Sequence, residues 1–180
     1  MRRSVIALGV LAAVLLISWG FQPEAAALLW HLRHGVHAEG AGVRLRVPLL
    51  YEATASPDAL VLTTSPGRVR KRQFQAPMAL IMLSNKAPNP KDGEPISNSE
   101  MLALTLQQHE HLGAKQTAKR EFRLGSETIS CLQFEGGSYL AGVDIWCAPA
   151  SGGPIVSFGG GGELAGEFYG MLQSAERISR

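Results

Sequence analysis

The sequence predicts an α+β domain: an antiparallel sheet covered by helices on both faces (an α/β/α sandwich), with an apolar helix ahead of it. Three observations lead there. Between Val43 and Phe158, short apolar runs recur between Gly/Pro turn signals, the pattern of hairpin-connected strands. A capping box at Ser97–Glu100 and a glycine run at 159–162 each introduce a helical stretch. The two cysteine-bearing strands, TISCLQF and VDIWCAP, are apolar on both alternating faces. Both faces of the sheet therefore need a cover.

The chain starts with Met1-Arg2-Arg3 followed by eighteen uncharged residues, SVIALGVLAAVLLISWGF (4–21). A basic flank before an apolar run is the pattern of an export signal. At about 1.5 Å per residue the run spans roughly 27 Å as a helix, enough for a thin bilayer. Residues 1–27 thus read as a signal anchor or a signal peptide, with a buried core helix as a third reading. Ala25-Ala26-Ala27 offers small residues for cleavage. The length of the run, and Trp19 and Trp30 bracketing a membrane interface, favour an anchor. No cysteine directly follows the run, which excludes a lipoprotein anchor. Arg2 and Arg3 hold the N-terminus in the cytoplasm and send the domain outward. The expected location is the cell membrane, single-pass, with membrane contact through residues 4–21. A soluble periplasmic or secreted domain is the alternative.

Residues 28–42 read as a juxtamembrane linker and 43–180 as one domain, a size that a single core suits. Gly35 stops any helix running through Ala25–Arg33. VRLRV (43–47) places Val43, Leu45 and Val47 toward a core and Arg44 and Arg46 toward water, as in a half-buried strand. ALVLTT (59–64) and MALIMLS (78–84) are further strands. Between them Arg68, Arg70, Lys71 and Arg72 form the basic cluster of the domain. Given a nearby membrane it is a candidate contact for anionic headgroups, against the plainer reading of a charged edge strand. The Pro-rich stretch 85–97 is an exposed loop. Beyond it a helix over about 98–112 places Leu102, Leu106 and His109 on one face with Met101 and Leu112 beside it, and Gly113 ends it.

Strands follow over 119–124 and 127–134. A bend centred near Tyr139 sets Cys131 opposite Cys147 and Gln133 opposite Ile145. Directly opposed residues bring their Cα atoms to roughly 4.5–5.5 Å, within reach of a disulfide. An exported chain with two cysteines usually pairs them; two buried free thiols are the alternative. Alternation sets Ile129, Cys131 and Ile145 on one face and Leu132, Phe134 and Trp146 on the other. After the strand PIVSF, the stretch ELAGEFYGMLQSAERI carries Leu164, Phe168, Met171, Leu172 and Ala175 at the spacing of a packed helix. The two helices are the covers for the two faces.

Three features resemble the Mog1/PsbP-like group of small α/β/α sandwich domains: the strand Ile145-Trp146-Cys147, the short strand Ile155–Phe158 ending in glycine, and the closing helix with Phe168, Met171-Leu172 and Ser174. The similarity covers residues 43–178 and is strongest after 120. In outline the chain is also similar to uncharacterised single-pass proteins of soil bacteria, in which a basic N-terminus and an apolar segment precede such a domain. The resemblance implies a binding or assembly role, and no catalytic residue is carried over from it.

Motifs with chemistry are sparse. Net charge is +2, and Arg2 and Arg3 account for it. The domain itself is balanced, unlike a dedicated nucleic-acid binder. Residues 43–75 hold six basic against two acidic side chains, and 121–180 three against seven. His31, His34 and His37 are separated by Gly35 and lack a completing acid or cysteine. His109-Glu110-His111 puts its histidines two apart, whereas a metalloprotease helix needs them four apart. Ser138 and Ser151 lie near glycines but outside a G-x-S-x-G turn. The glycine run could offer N–H groups to an anion, but it lacks the Lys-Ser/Thr of a phosphate loop. The expectation is no catalytic site, metal or cofactor, and an exported, membrane-tethered module whose partner is an envelope protein. A carrier of a small apolar ligand and a small hydrolase using His109 or His111 are the alternatives.

Overall fold

The computed structural model describes residues 25–64, 80–84, 96–124, 127–136, 142–149 and 152–178. The apolar run 4–21, the basic cluster Arg68, Arg70, Lys71 and Arg72, and Ser138 and Ser151 lie outside the described residues. Among the described residues no helix is long and apolar enough to cross a membrane.

The fold is α+β and its sheets are antiparallel. Helix α1 covers residues 25–34. Five strands follow: β1 (His37–Gly40), β2 (Val43–Arg46), β3 (Tyr51–Ala55), β4 (Ala59–Thr64) and β5 (Leu80–Ser84). Helix α2 (Asn98–His111) leads into β6 (Lys115–Leu124), β7 (Glu127–Glu135), β8 (Val143–Pro149) and β9 (Ile155–Gly160). A 3-10 turn (Gly162–Leu164), helix α3 (Ala165–Gln173) and the short β10 (Glu176–Arg177) complete the described chain.

Where one sheet was expected, the described residues form two. Seven strands run in the order β3-β4-β5-β9-β8-β7-β6, and three more in the order β1-β2-β10. The large sheet is two meanders, β3-β4-β5 and β6-β7-β8-β9, joined at the single seam between β5 and β9. Tight approach at the far end of the β8–β9 pair requires glycine. A Cβ on Gly142 would collide with the carbonyl of Gly160. Edge strand β6 exposes Lys115, Lys119, Arg120, Glu121 and Arg123, charges that discourage another strand from adding to it.

Each face of the cysteine strands has its own helix. Ile129, Cys131, Ile145, Cys147 and Phe158 share a cluster with Phe168, Met171 and Leu172 of α3. On the other face Leu132, Phe134 and Ala114 meet Leu102 and Leu106 of α2. Met101 joins Ala148 and Ile155 beside them. The helical stripe of α2 is turned slightly from the expected one. Met101, Thr105 and His109 are buried, while Leu102 and Leu106 flank them half-exposed. The start of α2 follows its sequence signal, since Ser97 Oγ accepts from Glu100 N–H at 3.2 Å. At its end Gly113 adopts φ +78°, and Ala114 N–H donates to His109 O at 2.9 Å.

Two expectations need correction. Residues 28–42 are not a linker: Trp30 packs on the core, Ala38 and Ala41 are buried in it, and β1 pairs with β2. The closing helix is also shorter than its pattern. Ser174 Oγ donates to Met171 O at 2.7 Å, satisfying a terminal carbonyl. The chain then turns so that Glu176 and Arg177 pair with Arg44 and Val43 of β2. Strand hydrogen bonds replace the helical turn that ERI would have made.

Candidate functional site

The expected cysteine register is present, with Cys131 opposite Cys147 and Gln133 opposite Ile145. The two cysteines form a disulfide with Cα atoms 4.0 Å apart, and neither is accessible to solvent. Thiol–disulfide exchange requires an attacking thiolate to reach a sulfur. Burial denies that access, so the bond acts as a structural cross-link. Such a bond persists in an oxidising, extracytoplasmic compartment.

The most elaborate polar cluster joins α2 to β8. Asp144 Oδ2 accepts from Trp146 Nε1–H at 2.9 Å and lies 2.7 Å from His109 Nε2. His109 Nδ1 lies 2.8 Å from Thr105 O. A carbonyl only accepts, so Nδ1 carries a proton and donates. The ring also stacks on Phe134 at 4.1 Å between centroids. A His–Asp pair resembles the orienting half of a catalytic triad, but a triad histidine leaves its second nitrogen to a nucleophile. Both nitrogens of His109 are occupied inside the protein. His109 therefore pins α2 to the sheet, while His111 is exposed on another face.

His31 and His34 also make structural contacts. His31 ring nitrogens lie 2.9 Å from Gly35 O and 3.1 Å from Pro48 O. His34 stacks on Trp30. Among the described residues no three His, Cys, Asp or Glu side chains gather as a metal site. The glycine run offers little to an anion, because Glu163 folds its carboxylate back over Gly161 at the start of the 3-10 turn.

On α3, Tyr169 donates to Gln133 Oε1 at 3.0 Å, stacks on Phe122, and carries Arg120 over its ring at 4.6 Å. Burial raises the Tyr169 phenol above its ordinary pKa, partly countered by the Arg120 charge. This cluster fixes α3 to edge strand β6.

What remains unassigned is apolar and outward-facing. On α1, Ala27 is buried and Trp30 and His31 are half-buried, whereas Leu28, Leu29 and Leu32 are exposed. Leu32 is 84% exposed, and nearby Val36 and Leu49 are 49% and 61% exposed. Val36 and Leu49 line a shallow concavity of about 350 Å³, with His31, Arg46, Met171 and Glu167 around it. The anchoring is firm: Trp30 Nε1–H donates to Ala53 O at 2.9 Å, and Val47 N–H donates to Val36 O at 2.9 Å. Neither a family model nor a curated protein matches the chain.

This ridge was not singled out from the sequence. Leucines at helical spacing ordinarily indicate a core face, and only the burial of the opposite side reveals which way α1 is turned. The residues that sequence reasoning did mark divide in two. Cys131 and Cys147 are brought together, and the basic cluster 68–72 lies outside the described residues.

Proposed function

We propose that this protein is an exported, membrane-tethered domain that works without catalysis as an interaction or assembly module of the cell envelope. The observation that carries the reading is the buried Cys131–Cys147 disulfide in a chain that opens with a basic flank and an apolar run. The bond calls for an oxidising compartment, and the run supplies both export and a tether through residues 4–21. The resemblance to Mog1/PsbP-like domains supports a binding role. So does the exposed apolar ridge of α1, since such patches mark interaction sites. The basic cluster Arg68, Arg70, Lys71 and Arg72 adds charge suited to anionic headgroups. A second reading, carriage of a small apolar ligand, draws on the concavity beside Val36 and Leu49.

The test is a non-reducing intact mass of the protein from membrane and soluble fractions of an exporting host. The expected result is full-length chain in the membrane fraction, two hydrogens lighter than the reduced mass. A chain lacking its first residues in the soluble fraction would replace the tether with a free exported domain. Full-length soluble protein with two free thiols would overturn the export reading.

A further inference from the structure

We infer that the outward ridge of α1, continued by Val36 and Leu49, is the surface on which the domain rests against a lipid bilayer. The inference depends on the tether proposed above and adds to it the orientation of the domain.

Ala25, Leu28, Leu29 and Leu32 stand at i, i+3, i+4 and i+7, so they share one side of the helix. Ala27, Trp30 and His31 occupy the other side and face the protein. The helix therefore turns its leucines away from its own core and His31 toward it. Three contacts hold it in that attitude: Trp30 to Ala53, His31 to Pro48, and Val36 to Val47. These bonds also bring Val36 and Leu49 alongside the end of the ridge.

Two observations select a bilayer as the occupant. The first is position along the chain. The apolar run ends at Phe21, and α1 is helical from residue 25. Whatever path residues 22–24 take, Leu28 lies within about 20 Å of Phe21. Wherever the run enters a membrane, the ridge is beside that surface. The second is composition and shape. The flank formed by Leu28, Leu29 and Leu32 is convex, and the concavity beside Val36 and Leu49 is shallow, a surface that suits a fluid phase. Exposed Arg33, His37 and Arg46 flank it, as basic side chains flank the apolar face of an interfacial helix. Nearby Arg44 is paired with Glu39 at 3.6 Å, and Glu167 lines the concavity beside Arg46.

The full chain, reconstituted into vesicles of phosphatidylcholine and phosphatidylglycerol, carries a photoreactive benzoyl-phenylalanine in place of Leu32. A control places it at Leu104, which is exposed on α2 across the sheet. Illumination is expected to give lipid adducts at position 32 and none at 104. Protein that floats with the vesicles but gives no lipid adduct at 32 overturns the seat while leaving the tether intact. So does an adduct at 32 to residues 4–21 or to a second copy, since either places protein on the ridge. Protein that does not float with the vesicles overturns both. Leu32→Glu supplies an independent readout. Its side chain lies outside the core, so the disulfide-bonded fold is retained. Protease is then expected to release the domain from vesicles severalfold faster, and an unchanged rate would contradict the seat.

Discussion

One oxygen of Asp144 has partners on two elements, accepting from Trp146 on its own strand and lying against His109 Nε2 on α2. Asp144→Ala leaves the Trp146 N–H and the His109 ring without that partner in a largely closed environment. The expected loss is about 1–3 kcal/mol of unfolding free energy, measured by urea unfolding followed through tryptophan fluorescence. A loss confined to experimental error would show that α2 is held by its apolar contacts alone. Tyr169 makes the complementary case on the other face. Its phenol is raised mainly by burial, so the folded state favours the neutral form more than the unfolded chain does. Its contribution is complete below the unfolded value near pH 10 and is lost as pH climbs through the higher folded value. The unfolding free energy of the wild type is thus expected to fall as pH rises past 10, and Tyr169→Phe to flatten the decline. The ultraviolet titration of the phenolate should show a late-ionising tyrosine that the variant lacks.

At the scale of elements, the hairpin β7–β8 is the best-determined part of the molecule. Its two cysteines close a loop with a sequence separation of 16. Replacing both with alanine is expected to cost about 3 kcal/mol by the chain-entropy account, read as a lower denaturation midpoint in urea. An unchanged midpoint would assign the hairpin's stability to its apolar faces. This hairpin was legible in advance because alternation, a Gly-rich bend and paired cysteines all agree. Strands β1 and β10 were not. HAEG offers one small apolar residue, and Glu176–Arg177 continues what looks like a helical charge pattern. Both are strands because β2 lies between them and supplies hydrogen bonds, a tertiary cause with no local signature. The ridge of α1 was hidden for the opposite reason. Its local pattern is strong, but the same pattern serves a buried face and an outward one.

For the whole molecule, the apolar runs between turn signals, the two helical stretches and the two-faced apolar strands already indicated a covered antiparallel sheet. Connectivity was harder to foresee, because pairing between distant strands leaves no mark in either segment. The seam between β5 and β9, which sets Leu80 against Gly159, is such a pairing. So is the pairing of β10 with β2, which sets Glu176 against Arg44. Together these two late strands impose an order in time. As the chain is synthesised and emerges, β3, β4 and β5 can form a meander early, yet β5 must keep one edge open until β9 arrives. The small sheet waits longer still for β10. The disulfide can be oxidised before either closure, as soon as β8 has emerged beside β7. A nascent chain of this protein can therefore be cross-linked while a strand edge in each sheet is still open. At that stage it depends most on whatever meets the emerging polypeptide in its oxidising compartment.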